Sequence, residues 1–294
     1  MSPASSNKII YGALGLILSV GVAHGALDLG NLPSLPILAT EDGAEYTYRT
    51  TTDQVEPYGP SEWHIGYPEC GGDRQSPINL SAAIEESVKA SEYDLRFFPT
   101  SCSSDELHFE VKDHFYKVDY SSCSEAPSLV FEGVNYNLLQ LHVHSVSEHR
   151  IGSTHHDAEV HLVHLQEGSE TELLVLGVLI DSAEYGDNEQ IEELWSVLNL
   201  GESMPTDHVF ESSPYDMLPS TPTYAHYIGS LTTPPCTEGV KWLVFTQPIL
   251  MSDLQLQQYR YHVSLVDHTK VDEHGNTNRP DQPLNGRTVK YVSK

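Results

Sequence analysis

Two short stretches, Leu139-Gln140-Leu141-His142-Val143-His144 and Glu159-Val160-His161-Leu162-Val163-His164, constrain this chain more than any other feature. Side chains alternate between the faces of an extended strand, so Gln140, His142 and His144 share one face while Leu139, Leu141 and Val143 share the other. By the same count Glu159, His161 and Val163 fall together, and the intervening Ser145 to Ala158 is long enough to lay the two strands side by side. Three imidazoles then converge from neighbouring strands and leave a fourth position open, the arrangement of a catalytic rather than a structural zinc. An isolated His-x-His strand is more often an ordinary polar face. Here Gln140 and Glu159 each precede a histidine by two residues on its own face, where they can accept the ring N–H turned away from a metal and fix its tautomer. The expected metal ligands are His142, His144 and His161.

The chain has 294 residues, enough for one large domain, and neither an internal repeat nor a second composition shift divides it. A net charge of −27 argues against nucleic acid and anionic membranes as partners, since those surfaces attract lysine and arginine. At the N-terminus Lys8 precedes an apolar run from Ile9 to Ala23, followed by Ala23-His24-Gly25. This reads as a signal peptide over residues 1–26, with an uncleaved anchor as the alternative. The run is short for a bilayer span, so no stable span is expected in the mature chain. The four cysteines show no CxxC pairing, and their even number in an exported chain favours disulfides in a secreted, periplasmic or lumenal setting.

Residues 27–57 carry Pro33, Pro36 and Pro57 without a clear period and read as a linker or propeptide-like arm. Residues 58–294 read as one globular domain. Leu107 to Val111 and Phe115 to Tyr120 flank Lys112-Asp113 and predict a hairpin. Cys102 and Cys123 lie at equal distances from that turn and would meet across it, as a disulfide requires. The apolar run Leu173 to Ile180 predicts a buried central strand. Helices look few: Asp187 with Gln190 resembles a capping box ahead of Ile191, Leu194, Trp195 and Leu198, closed by Gly201. Ser252 with Gln255 opens a second helix to about Tyr261, and Ser81 to Ala90 suggests a third. The expected fold is mostly β (α+β), one domain on a large, mainly antiparallel twisted sheet with short peripheral helices. One glycosylation sequon, Asn79-Leu80-Ser81, is present.

From about Tyr58 onward the chain resembles the alpha-class carbonic anhydrases. The blocks that carry the resemblance are Trp63-His64, Arg74-Gln75-Ser76-Pro77-Ile78, Gln140 to His144, Ser147-Glu148-His149, Ala158 to His164, Gly229 to Cys236 and Asn278 to Leu284. They occur in the family's order at near family spacing. The resemblance implies zinc on His142, His144 and His161, and reversible hydration of carbon dioxide to bicarbonate and a proton through zinc-bound hydroxide. A water pKa lowered to about 7 by zinc is a known property of that family.

The resemblance also implies roles for single residues. Thr232 would accept a hydrogen bond from the metal-bound ligand and donate its own proton to Glu148, so that only ligands carrying a proton are favoured. His114 falls where the family places its proton-shuttle histidine, with His64 a weaker rim candidate. Val163, Val175, Leu231, Val240 and Trp242 would form the apolar wall for carbon dioxide, beside Thr232 and Thr233. Tyr58 would join the water network, although its spacing to Trp63 is shorter than in many relatives. The family's extracellular members join a cysteine before the Arg-Gln-Ser-Pro block to the one after Thr-Thr-Pro-Pro, which implies Cys70 with Cys236 and leaves Cys102 with Cys123. Ser145 and Val146 stand where many animal members carry tryptophan, as does Asn278, and neither departure removes a ligand. A silent, carbonic-anhydrase-like binding or matrix protein is the competing reading. A non-haem iron site of two histidines and Glu159 ranks lower, because three histidines are present.

Overall fold

The computed structural model describes residues 44–82, 84–100, 102–103, 106–112, 115–196, 212–220, 223–266, 271–272 and 274–293. Among these, thirteen strands follow in chain order: β1 (Ile84–Lys89), β2 (Leu95–Phe98), β3 (His108–Lys112), β4 (Phe115–Asp119), β5 (Ser128–Phe131), β6 (Val134–His144), β7 (Arg150–Ile151), β8 (Thr154–His155), β9 (Ala158–Gln166), β10 (Leu173–Ala183), β11 (Tyr224–Ser230), β12 (Glu238–Ser252) and β13 (Thr288–Ser293). The helices are α1 (Trp63–Gly66), α2 (Glu189–Ser196) and α3 (Asp253–Val266). Eleven strands form one sheet in the order β1-β13-β11-β12-β10-β9-β6-β4-β3, with β5 pairing β6 and β2, while β7 and β8 make a separate hairpin. The sheet is mixed: most neighbours are antiparallel, but β1 with β13 and β10 with β12 run parallel. The second parallel pair arises because the chain, after leaving β10, first forms β11 and then turns back through the β11–β12 hairpin to lay β12 beside β10.

Alternation divides the sheet into two apolar faces. Leu141, Val143, Val160, Leu162, Leu174, Leu176, Val178 and Ile180 turn to one side, against Ile191, Leu194 and Trp195 of α2 and Leu256, Tyr259 and Val263 of α3. Val163, Val175, Leu179, Val240, Trp242 and Val244 turn to the other. Strand β10 lies between β9 and β12 and is buried continuously from Leu173 to Ile180, as its unbroken apolar run predicts. A third cluster gathers Tyr46, Tyr48, Trp63 and Tyr67 beside Cys70 and Cys236. Within the 27–57 stretch read as a loose arm, Tyr46 and Tyr48 are therefore buried against the domain, and Tyr46 bridges to Tyr58.

Three local expectations change. Within the Ser81 to Ala90 stretch expected as a helix, Ile84 to Lys89 forms edge strand β1, because pairing with β13 outweighs the helix preference of its glutamates and lysine. Helix α2 starts one residue later than the Asp187 box implies: Asn188 Oδ1 accepts the N–H groups of Gln190 and Ile191, both at 3.1 Å. Leu198 and Gly201 lie outside the described residues. The register between β6 and β9 shifts between Leu138 and Gln140, and the extra residue, Leu139, packs with the Val163 face instead of the Leu141 face. The Ser252 and Gln255 box caps α3 as expected, each side chain accepting the other's backbone N–H, and the helix runs on to Val266. Hairpin β3–β4 forms with Lys112 opposite Phe115, and Cys102 is bonded to Cys123.

On the helix-covered face His164 is fully buried, donates from Nδ1 to the Leu162 carbonyl at 2.9 Å and stacks on Tyr215, whose hydroxyl meets its Nε2 at 3.0 Å. Burial pushes this imidazole down to about 3. The unfolded chain takes up a proton near pH 6.5 and the folded chain does not, so stability from this residue is complete above pH 6.5 and falls as the pH drops toward 3. Between pH 7 and pH 5 wild-type protein is expected to lose about 2 kcal/mol that His164→Gln does not lose, read from urea unfolding at both pH values. Equal losses in the two proteins would show that His164 does not stay neutral in the fold.

Candidate active site

Register brings the histidines together. His142 of β6 sits opposite His161 of β9, and His144 follows two residues along on the same face. His142 Nε2 lies 3.1 Å from His144 Nε2 and 3.2 Å from His161 Nδ1. The outward nitrogen of each ring is held: His142 Nδ1 donates to Gln140 Oε1 at 2.8 Å, His144 Nδ1 to the Thr277 carbonyl at 2.6 Å and His161 Nε2 to Glu159 Oε1 at 3.1 Å. Those three bonds fix the tautomers, so the converging nitrogens carry lone pairs. Burial lowers all three rings below the usual histidine range, His144 to about 4, with mutual repulsion adding to the shift at His142. Neutral imidazoles are what a metal ion requires of its ligands.

Glu159 joins the parts of the site. Its Oε1 also accepts His149 Nδ1 at 2.7 Å, and its Oε2 accepts the backbone N–H groups of Glu148 and His149 at 2.9 and 2.8 Å. Burial works to raise this carboxyl, but its contacts with His149 and His161 outweigh it and hold the group well below the carboxylate range. Gly177, opposite His161 on β10, leaves room for it, since a Cβ there would stand 2.7 Å from Glu159 Oε1. His149 Nε2 in turn accepts the Tyr227 hydroxyl at 2.7 Å, and Tyr227 meets Ser76 Oγ at 2.8 Å.

The loop that Glu159 holds aims Glu148 at the histidines. Its Oε1 accepts the Arg279 N–H at 2.9 Å, while Oε2 is buried without a hydrogen-bond partner, 3.6 Å from His144 Nε2 and 3.9 Å from His161 Nδ1. Burial pushes Glu148 up to about 7, against the opposing pull of His161, the Arg279 N–H and the Thr232 hydroxyl. An unpaired buried carboxylate oxygen within 4 Å of two of the three lone-pair nitrogens fits a cation at their centre.

A family model described as eukaryotic-type carbonic anhydrase matches residues 58–293. The chain belongs to that family. It is 33% identical to carbonic anhydrase 7 of Mus musculus over 79% of this chain and 93% of that protein. It is 32% identical to carbonic anhydrase 6 of Canis lupus familiaris, over 89% and 85% of the two chains. Among solved structures, a hyperthermostable carbonic anhydrase from a hydrothermal vent chimney matches at a TM-score of 0.67 and 30% identity, covering 85% of this chain and all of that one (100%). Dioscorin, solved with ascorbate, matches at 0.69 and 27%, over 85% and 98%.

In this carbonic anhydrase the remaining expected residues fall as follows. Val163, Val175, Val240 and Trp242 form one buried cluster with Leu231 packed against it, and the Trp242 ring lies edge-on to His161 at 4.9 Å. Thr232 is buried and Thr233 half-buried in the loop that follows β11. His114 lies outside the described residues, and His64 is exposed on α1. Sequence reasoning assigned no role to Thr277, His149, Tyr227 or Arg279. Arg279 is 1% exposed, donating to Gln75 Oε1 and the Ser76 and Cys70 carbonyls and stacking over Trp63. Its place in the Asn278 to Leu284 block was the one available signal, and a lone arginine in a loop does not show that it is buried.

Cys70 and Cys236 are bonded across a separation of 166 residues, which ties the Thr232 loop to the segment carrying Gln75 and Ser76. Opening so long a loop is expected to cost about 5 kcal/mol in the chain-entropy picture, against about 3 kcal/mol for Cys102–Cys123 with its separation of 21. Urea unfolding of the two paired Cys→Ser variants checks the order. Equal or reversed losses would contradict the brace.

Proposed function

We propose that this chain hydrates carbon dioxide reversibly to bicarbonate and a proton, with zinc held by His142, His144 and His161. The observation that carries the reading is the convergence of three lone-pair nitrogens whose opposite ring nitrogens are each tied to an acceptor. Zinc, when bound, supplies a nucleophile derived from water at neutral pH. The chain's own residues do the rest. Glu148, ionised beside a cation, takes the Thr232 hydroxyl proton into its hydrogen bond, so Thr232 Oγ1 presents only a lone pair toward the metal. A ligand there must carry a proton to bond with it, which orients the attacking oxygen. The wall of Val163, Val175, Val240, Trp242 and Leu231 offers carbon dioxide no hydrogen bond, so substrate is placed by shape and exchanges readily.

His114 is the proposed group that passes the released proton to buffer, and His64 is the rim alternative. The proposed organisation is a signal peptide over 1–26, an arm over 27–57 and a catalytic domain over 58–294. No helix among the described residues is long and apolar enough to cross a membrane. The two disulfides support an oxidising compartment, whether extracellular, periplasmic or lumenal.

A second reading, a binding protein on the same scaffold, is favoured by one observation: the neighbour dioscorin was solved in complex with ascorbate. Stopped-flow hydration of carbon dioxide separates the two. Activity is expected to vanish on chelation and return with zinc, and Thr232→Ala is expected to lower kcat/KM about 100-fold while zinc content stays unchanged. An oxidised, fully zinc-loaded protein without activity would put the binding reading first.

A further inference from the structure

Tyr185, Leu250 and Leu254 are 86%, 52% and 63% exposed, three of the eight large apolar side chains that reach solvent among the described residues. All three lie on two joined segments. The turn leaving β10 crosses the end of β12: Asn188 Nδ2 donates to the Leu250 carbonyl at 3.0 Å, and a Cβ on Gly186 would stand 3.1 Å from the Met251 carbonyl oxygen. Asn188 and Gln255 then tie the starts of α2 and α3 together. Gln255 Oε1 accepts the Asn188 N–H at 3.1 Å, and Gln255 Nε2 donates to the Asn188 carbonyl at 3.0 Å. Between the two helix starts lies a cleft of about 330 Å³, lined by Asp187, Asn188, Glu189, Glu192, Leu254 and Gln255 among others.

The same segments are acidic throughout. Glu184, Asp187, Glu189, Glu192 and Asp253 are exposed, and among the described residues none of them is in an ion pair. Residues 181–196 and 246–259 contain no lysine or arginine. Glu189 and Glu192 in the first turn of α2, and Asp253 in that of α3, complement the helix dipoles. That accounts neither for Glu184 nor for three large apolar side chains left in water beside carboxylates. An apolar centre within a charged rim is the build of an interface, and a rim of one sign selects a partner of the other. We propose that this face docks a cationic amphipathic segment of another protein. Its apolar side chains would pack on Tyr185, Leu250 and Leu254, and its lysines or arginines would meet the carboxylates around the cleft. The chain's own N-terminal residues 1–43 do not fit, since they hold one cation, Lys8, against Asp28, Glu41 and Asp42. A second copy meeting this face with its own would set like charges together. The inference does not depend on hydration activity.

The probe is a fluorescein-labelled peptide of about 14 residues, made of lysine and leucine with the leucines at helical spacing. Its binding to the full zinc-loaded chain is read by fluorescence anisotropy at about 0.15 M salt, where diffuse attraction to an acidic protein is screened. The peptide is expected to bind saturably, and its Kd to rise about tenfold in Tyr185→Ser/Leu254→Ser and in Asp187→Asn/Glu189→Gln. Glu86→Gln/Glu170→Gln removes the same charge from other exposed positions and is expected to leave Kd unchanged. A second peptide with serine in place of every leucine is expected to bind about tenfold more weakly. All the substituted side chains are exposed, and thermal melting verifies that each variant folds. An equal loss in the Glu86→Gln/Glu170→Gln control, equal binding of the serine peptide, or no saturable binding would overturn the proposal. So would self-association in sedimentation velocity that Tyr185→Ser/Leu254→Ser abolishes, which would give the face to a second copy.

Discussion

The site depends first on one buried carboxylate. Glu159 is fully enclosed and accepts four N–H groups, two from imidazoles and two from the backbone of the loop that carries Glu148. A buried charge is tolerable only when each oxygen is paired, and here the pairing also positions chemistry. One side of the carboxylate fixes the tautomer of His161; the other fixes where Glu148 enters. Position 149 must then be a donor and position 177 must lack a side chain, which explains a glycine within an otherwise continuous apolar strand. Replacing His149 would leave the buried carboxylate short of a donor, and a side chain at 177 would crowd it, so the local sequence is set jointly.

The division of the sheet into two faces follows from the same strands. Helices α2 and α3 cover one face, and its side chains pack as a conventional core. The other face carries the histidines on β6 and β9, with an apolar wall from β9, β10 and β12 next to them. Because residues along β9 alternate, one strand supplies Glu159, His161 and Val163 to the site and Val160, Leu162 and His164 to the core. A one-residue slip would exchange those sets, so burial on the covered face enforces the register that the site needs.

What could be read from the sequence followed from this periodicity. The faces of His142, His144 and His161, the hairpin with its cysteine pair, the buried run of β10 and the capping box of α3 are all local patterns with a fixed period or offset, and each appears where it was expected. The failures are tertiary. Ile84 to Lys89 carries helix-forming residues and becomes a strand only because β13 lies alongside it. Leu139 changes face because of a bulge that alternation does not announce. Thr277 contributes through its backbone carbonyl, which any residue possesses, so no side-chain pattern could have marked it. The Glu159 pairing with His161 was legible from their offset; its grip on His149 and the Glu148 backbone depends on how a loop closes over the sheet.

That closure is made with polar and covalent contacts rather than apolar packing, and the reason is physical. A face that must admit substrate cannot be sealed by a second layer of hydrophobic side chains, so its loops need another source of rigidity. Arg279 supplies part of it by joining Glu148, Gln75, Ser76 and Cys70 through bonds from one buried side chain and its own backbone. The Cys70–Cys236 bond supplies another part, since it fixes the loop bearing Thr232 to the same segment that Arg279 holds. Glu148 and Thr232 come from loops far apart in sequence, yet both are anchored to the stretch around Cys70 to Ser76. The two residues are therefore placed relative to each other by a shared frame rather than by two independent loops, and that placement can persist on an open face.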